Sequence, residues 1–233
     1  SAPLAPRDID LRGANLQGVD LAHLRFEKAL FQDARMAGAN LFAAHLEGAN
    51  LTMAHLHGAN LTLAHLAGAN LAMAHLAGAN LGGAHLEKAN LDGAHLAGAN
   101  LTRALLEGAN LGHSYLVGAN LTRAHLEGAN LFAAHLEGAD LDGAHLDDAT
   151  DLTNASLRGA AVRDVDETTI AQLRPVWAEI FADGSVPVPL DDPDRPAHWP
   201  RQKLEFGKFR DEWRKWQADP DGYTPPDPPD TAG

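Results

Sequence analysis

The sequence predicts an all-β solenoid, a rod of about eight four-sided coils that helices close at the C-terminal end. Three observations carry this prediction. Every fifth residue from Leu41 to Leu146 is leucine, which makes 22 consecutive leucines. The residue two places before each leucine is alanine, with Ser114 as the single exception. No proline occurs between Arg7 and Arg174, as expected if every coil donates its N–H groups to the next.

A period of five fits neither an α-helix nor a flat strand. On a helix the leucines would spread over every face, and on a strand they would alternate between two sides. A short extended piece followed by a corner keeps Ala and Leu inside and the residue between them outside. Four such pieces close a square coil of about 20 residues, and coils stack at about 4.8 Å. The 31 repeats then give a rod about 37 Å long.

The frame of the repeat also sets the domain boundaries. Before Ala39 bulkier residues such as Phe26 and Phe31 take the leucine position. The frame slips by one residue between Asp147 and Thr150, then resumes at Leu152. We therefore expect a repeat rod over residues 9–165, a helical cap and extension over 166–217, and a disordered Pro/Asp-rich tail over 218–233.

Glycine indicates how the corners are built. It recurs at the second residue after leucine in alternate repeats, as at Gly48, Gly58 and Gly68. A type II turn needs positive φ at this position. The pattern therefore predicts two alternating corner types, with Lys88 as a slightly strained exception in the glycine column.

The Ala-(Asn/Asp)-Leu-x-x unit closely resembles that of the pentapeptide-repeat family. The resemblance spans residues 9 to 164 and implies a right-handed quadrilateral β-helix. The stretches FADGSVPVPLDDPDRPAHWP (181–200) and FRDEWRKWQ (209–217) resemble the C-terminal extension of a group of bacterial members. Some members of that group carry membrane segments ahead of the repeats.

The residues after the repeats predict a cap. Asp166 stands where a helix N-cap is expected, and apolar residues follow it at helical spacing as far as Phe181. Pro175 predicts a kink or a restart of this helix. The segment should cover the last leucine layer and its unpaired edges. A second helix is expected near 201–217, with one apolar side formed by Leu204, Phe209, Trp213 and Trp216.

Composition and charge narrow the function. The chain has 31 acidic and 18 basic side chains, a net charge of −13, which disfavours a nucleic-acid or anionic-membrane binder. It has no cysteine, which excludes disulfides and thiolate chemistry. No stretch is long and apolar enough to span a membrane. The compartment stays open between the cytoplasm and a membrane association through sequence ahead of Ser1.

One surface column combines histidine with acidic residues. The residue between Ala and Leu alternates between Asn and His, so two opposite walls should carry Asn and the other two His. The candidate stripe on one His wall consists of His45, Glu47, His65, His85, Glu87, His125, Glu127 and His145.

This stripe admits three interpretations. Imidazole and carboxylate groups could bind a metal ion, although a ladder offers no enclosed site. Protonation of several histidines would make the wall positive near pH 6. The simplest interpretation is that the His and Asn ladders stack and satisfy the corners. Catalysis would need a pocket and a unique base or nucleophile, so we expect no enzyme, no catalytic residue and no cofactor.

The family resemblance adds another alternative. Some pentapeptide-repeat proteins mimic duplex DNA and bind type II topoisomerases such as gyrase. Mimicry needs closely spaced carboxylates, whereas residues 40–140 hold seven acids against three bases. DNA mimicry therefore ranks behind a protein-interaction or scaffold role.

Apolar residues at corners favour that interaction role. Five of them are expected to face water and to form a protein interface: Phe42, Met53, Leu63, Met73 and Phe132. At the other end, Arg7-Asp8-Ile9-Asp10 leads into the repeats without a cap. The open first coil is therefore expected either to be covered by sequence ahead of Ser1 or to meet a second copy of the chain, which would form a homodimer. We therefore expect a non-enzymatic interaction or scaffold module with a protein partner and no direct nucleic-acid binding.

Overall fold

The computed structural model describes residues 9–183, 185–189 and 191–226, and Arg7 and Asp8 lie outside them. Single-residue parallel bridges join residues 20 apart, from Asp10–Leu30 to His125–His145. No longer β-strand occurs in the part of the chain that the structure describes. Each coil therefore has four sides, and each side contributes one bridging residue.

The bridges define four walls, named A to D in chain order around the coil. Walls A and C carry the Asn columns: wall A contains Asp10, Leu30, Asn50, Asn70, Asn90, Asn110, Asn130 and Asp151, and wall C contains Asp20, Asn40, Asn60, Asn80, Asn100, Asn120, Asp140, Ala161 and Phe181. Walls B and D carry the His columns: wall B contains Asn15, Arg35, His55, His75, His95, Tyr115, His135 and Ser156, and wall D contains Arg25, His45, His65, His85, Leu105, His125 and His145.

The predicted frame slip is confirmed. The spacing between bridged residues changes from 20 to 21 at Asn130–Asp151. The extra residue lies in the turn after Leu146, where the Thr150 hydroxyl donates to the Leu126 carbonyl (3.0 Å) and the Asp147 carboxylate accepts from Gly128 N (2.8 Å). The Asp147 carboxylate thus replaces the backbone carbonyl that accepts in a regular coil, as Glu127 O does from Gly108 N, and the Thr150 bond is additional to the usual Ala129 N to Leu126 O bond.

The interior consists of stacked leucines and alanines. From Leu41 to Leu121 every residue at these two positions is fully buried, including Ser114, whose hydroxyl donates to the Leu111 carbonyl at 2.6 Å. Each buried leucine contributes about 1.5–3 kcal/mol. The rod is thus stabilised coil by coil, as in other solenoids.

Nearly every backbone N–H of a repeat has a defined acceptor. Leu41 N donates to the Asn60 carbonyl at 2.7 Å and His45 N to the Leu24 carbonyl at 2.9 Å, which links three coils. Ala44 N closes the corner on the Leu41 carbonyl at 3.1 Å. In the Asn repeats the remaining N–H is satisfied by a side chain, as where Thr52 N donates to Asn50 Oδ1 at 3.1 Å. The Asn columns therefore complete the backbone hydrogen bonding of two walls.

The predicted alternation of corner types is wrong. Regular corners have positive φ at the second residue after the large core residue, whether or not it is glycine. Fourteen such residues are not glycine, and Lys88 (φ 58°) is one of them rather than an exception. Every regular corner closes with a hydrogen bond from the N–H of the small core residue to the C=O of the large core residue three positions before it. Closure of the coil therefore fixes the positive φ, and the residue type changes only the energy of that conformation.

The helical cap begins as predicted. Helix α1 spans Glu167–Gln172, and the Asp166 carboxylate caps it by accepting from Thr169 N at 2.7 Å. A 3₁₀-helix, Arg174–Glu179, follows with Pro175 in its first turn. Phe181 then rejoins wall C by pairing with Ala161. Ile170, Leu173, Trp177 and Trp199 are buried and belong to the same core cluster as the leucine layers.

Helix α2 begins later than the sequence predicts. It spans Phe206–Ala218 rather than beginning near 201. Its apolar side forms a separate cluster on the outside of wall C, consisting of Ala161, Phe181, Leu204, Phe209, Trp213 and Trp216. Trp213 Nε1 donates to the Gly159 carbonyl at 2.9 Å, and Arg210 lies 3.3 Å from the Asp140 carboxylate. The helix therefore covers the side of the rod.

The start of the tail is also ordered, contrary to the expectation for residues 218–233. Tyr223 packs edge-on against Phe181 with ring centroids 5.7 Å apart, and its hydroxyl donates to Glu212 at 3.1 Å. Burial and this carboxylate raise the pKa of Tyr223. Residues 227–233 lie outside the described residues. In the described ranges no helix has the length and apolar character needed to cross a membrane.

Candidate functional site

The structure brings the predicted His–Glu stripe together on wall D. The His45 and His65 rings are parallel within 2° and their centroids are 4.5 Å apart. The stack continues from His65 to His85 at 5.0 Å. Leu105 interrupts it, and His125 and His145 form a second stack at 4.8 Å.

Each of the three predicted glutamates lies beside its own histidine. Nδ1 of His45 is 3.2 Å from Glu47, and the matching distances at Glu87 and Glu127 are both 3.4 Å. The other carboxylate oxygen of each glutamate is buried without a hydrogen-bond partner among other described residues. At Glu27, in the same column, a hydrogen bond from its own backbone N–H, helped by Arg25, holds the pKa below its usual value. The glutamates of this column can therefore accept a hydrogen bond from their own backbone N–H, which is the N–H that an Asn side chain satisfies in walls A and C.

The stripe does not form an enclosed metal site. Two groups place imidazole and carboxylate atoms within 4.8 Å of one another, His45–Glu47–His65 and Glu107–His125–Glu127. Metal–ligand bonds of about 2.0–2.2 Å must converge on one point. The lone pairs of two parallel stacked imidazoles point in the same direction, so a shared ion would require one ring to leave the stack. The His45–Glu47–His65 group is therefore better suited to stacking than to chelation.

Wall B carries a second aromatic ladder without acidic partners over most of its length. His55, His75, His95 and Tyr115 stack with centroid distances of 4.8, 5.0 and 4.9 Å. Burial, followed by the neighbouring His55 and His95, lowers the pKa of His75. The neutral form of His75 is therefore favoured within this ladder.

Wall B is also where exposed apolar residues concentrate. Met53 and Met73 stand at the corner between walls A and B, with 44% and 55% of their surface exposed. Tyr115 and Val117 follow on the same face at 44% and 46%. The four stretches that cross this face, residues 53–60, 73–80, 93–100 and 113–120, contain no Asp, Glu, Lys or Arg. We call these four stretches the uncharged face.

The structure divides the five predicted interface residues. Met53, Leu63 and Met73 are exposed, with Leu63 on the corner between walls C and D. Phe42 and Phe132 are half-buried because His23 and His113 pack against them edge to face, at 5.3 and 5.5 Å. The sequence prediction did not place Tyr115 and Val117 on the same face as the two methionines. Their positions in the 20-residue coil would have shown it.

A groove lies elsewhere, between helix α2 and the corner joining walls B and C. It has a volume of about 770 Å³ and is lined in part by Glu137, Arg158, Glu179 and Trp216. The side chains that line it in the described ranges include no serine, histidine or lysine. It therefore presents no pairing of such a nucleophile with a base.

Comparisons with known proteins identify the family to which the repeat belongs. A family model described as pentapeptide repeats matches in eight copies, over residues 9–48, 39–72, 69–108, 109–148 and 125–166. A comparison with curated proteins found no match.

Solved structures of other repeat proteins are similar to the chain. One is HetL, a pentapeptide repeat protein involved in heterocyst differentiation regulation from the cyanobacterium Nostoc sp. strain PCC 7120. It is 31% identical, with 76% of this chain and 82% of that chain covered and a TM-score of 0.31. Another is QnrB1, a plasmid-mediated fluoroquinolone resistance protein, at 14% identity, 81% and 88% coverage and a TM-score of 0.44. The chain belongs to the pentapeptide repeat family, whose members fold as right-handed quadrilateral β-helices.

Proposed function

We propose that this chain is a non-enzymatic protein-interaction module, a rod of about eight coils that binds a protein partner through its uncharged face. The observation that carries the proposal is the concentration of exposed Met53, Met73, Tyr115 and Val117 on this face, whose four stretches contain no charged side chain. Exposed apolar groups gathered on one surface favour association, whereas single ones carry little meaning.

The shape and chemistry of the face suit a protein surface. Tyr and Met are enriched at the centres of protein interfaces, where charged residues are depleted. The stacked rings form a flat strip, because coil spacing holds each one about 4.8–5 Å above the last. Association therefore requires little side-chain ordering, which lowers its entropic cost.

A matched pair of substitutions tests the face. Tyr115→Glu places a charge on wall B, and Leu105→Glu places one at the same position of the repeat on wall D. Proteins cross-linked to the wild-type chain in a cell extract are quantified by mass spectrometry beside both variants. We expect a specific partner to be retained by Leu105→Glu and lost from Tyr115→Glu. Retention by both variants, or loss from both, would contradict the proposed face.

DNA mimicry is the second candidate, and one observation favours it. Glu87, Glu107, Glu127 and Asp147 stand in one column on four successive coils at the corner between walls D and A. Such a column provides one charge per about 4.8 Å, against one per about 1.7 Å along duplex DNA. This lower charge density places mimicry behind the uncharged face.

A gyrase supercoiling assay tests the second candidate. DNA mimicry predicts inhibition by micromolar protein that weakens when Glu107 and Glu127 are both changed to Gln. Full supercoiling in the presence of the wild-type chain would eliminate mimicry and leave the first proposal standing.

A further inference from the structure

Among the described residues, the first coil has backbone groups at its N-terminal edge without a hydrogen-bond partner. In later coils the backbone N–H and C=O of each bridging residue both pair with the coil before it. Asn40 N, for example, donates to Val19 O at 3.0 Å, and Asn40 O accepts from Leu21 N at 2.7 Å. In the first coil no such bonds are made, within the described residues, by the N–H and C=O of Asp10, Asn15, Asp20 and Arg25. This end is therefore a template for one further layer of pairing.

This end of the rod also has exposed apolar side chains. Val19 and Leu24 occupy the small core position, which later coils fill with alanine, and they are 38% and 47% exposed. Ile9, Leu11 and Leu16 are only half-buried. Larger residues at the small position enlarge the apolar surface that a covering layer would bury.

We propose that a second copy of this chain covers the first coil, head to head about a two-fold axis perpendicular to the rod. Such an axis reverses the direction of the partner's coil, so facing walls run antiparallel. Because the chain rises by one coil spacing per turn, the end surface of each rod rises gradually from wall A to wall D and drops by one spacing at the D–A corner. The gap between two facing end surfaces is constant only if the two-fold axis passes through this corner. Wall A then faces wall D of the partner, and wall B faces wall C.

This arrangement pairs complementary groups. Asp10 faces the partner's Arg25, and Asn15 faces the partner's Asp20, each twice by symmetry. Opposed residues of an antiparallel pair can exchange both of their N–H···O bonds, so the four unpaired N–H groups all gain acceptors. The first coil, residues 9–28, has three acidic and three basic side chains. Two copies therefore meet without net repulsion, although the whole chain carries a charge of −13.

The inward-facing residues are complementary as well. Leu24 meets the partner's Leu11, and Val19 meets the partner's Leu16, while Ile9 lies over the partner's Phe26. The leucine core thus runs through the junction without a polar layer. The two rods form one rod of about twice the length.

Light scattering coupled to size-exclusion chromatography tests the dimer on the full chain, beside a matched pair of leucine variants. Leu24 and Leu63 are both 47% exposed, one at the open end and the other on the side of the rod. We expect the wild type and Leu63→Asp to be dimers and Leu24→Asp to be a monomer with unchanged circular dichroism. Small-angle scattering should give the dimer about twice the maximum dimension of that monomer.

A charge exchange tests the orientation. Asp10→Arg and Arg25→Asp each create like-charge pairs at the junction, so each variant alone should dissociate at least about tenfold more readily. Mixed together they should form a heterodimer, because each altered charge then meets its opposite. A monomeric wild type would overturn the proposal. So would a dimer that Leu24→Asp leaves intact, or one that forms only after residues 1–8 are removed.

Discussion

Replacing Gly78 by alanine isolates the energetic cost of a corner. Gly78 has φ of 65°, and a Cβ built on it meets no atom within 4 Å, so the substitution adds strain without a clash. A residue with a Cβ loses about 1–2 kcal/mol in the left-handed conformation, and alanine recovers about 0.4–1 kcal/mol by restricting the unfolded chain. We expect the free energy of unfolding to fall by about 1 kcal/mol, which lowers the melting temperature by about 2–4 °C.

Two further variants make the test specific to φ. Ala43 occupies the equivalent corner position with φ of 49°, so Ala43→Gly should raise the stability by a similar amount. Gly78→Asn should lose less than Gly78→Ala, because Asn tolerates this conformation. Urea titration followed by circular dichroism measures all three. Equal stability of Gly78→Ala, Ala43→Gly and the wild type would refute the claim that every regular corner requires the left-handed conformation.

Three other predictions follow from the site and the cap. The pKa of His75 is lowered, so the unfolded chain binds its proton at higher pH than the folded rod, and stability should fall as pH drops below about 6.5. The substitution His75→Asn should weaken this dependence in urea titrations from pH 5 to 8, and an unchanged slope would contradict it. Calorimetric titration with Zn²⁺ should give the same heats for the wild type and for a variant in which His45, His65 and His85 are changed to Asn. The reason is that the nitrogen lone pairs of parallel rings do not point at one ion. A stoichiometric heat that is lost in the variant would restore the metal hypothesis. Asp166→Ala should lower the unfolding free energy by about 1 kcal/mol through loss of the N-cap, whereas Asp191→Ala, on an exposed residue, should not.

The repeat made most of the rod predictable. The Leu and Ala positions, the four walls and the slip after Leu146 all follow from counting in fives, because a buried layer admits one arrangement of that period. Asp166 could be assigned as an N-cap because a carboxylate before an apolar helical pattern satisfies free N–H groups. These are local rules, and each depends on a few neighbouring residues.

Features set by longer-range contacts were not predictable in the same way. The apolar side of α2 was recognisable, but which wall it covers depends on Ala161 and Phe181, which replace polar residues at the outward position of wall C. The docking of Tyr223 depends on the same surface. The corners were mispredicted because closure of the coil, rather than the presence of glycine, decides φ at Lys88 and its counterparts.

A pair of deletions would separate the fold of the rod from the function of its surface. Removing residues 79–98 deletes one whole coil, and removing residues 94–98 deletes one repeat. Either deletion joins a corner glycine to Ala99, so the order of Ala and Leu is preserved. Both chains should fold with the same circular dichroism per residue, because each repeat contributes the same kind of buried layer.

The two deletions differ in what they do to the uncharged face. Loss of a whole coil leaves Tyr115 on wall B, next to His75, whereas loss of one repeat turns everything after the junction by a quarter turn and moves Tyr115 to wall A. A partner that needs the continuous face should therefore bind the chain lacking 20 residues and fail to bind the chain lacking five. Binding curves of the partner found by cross-linking provide the measurement. Equal affinity for both chains would show that recognition uses a single coil or an end of the rod instead, since only those features survive the rotation.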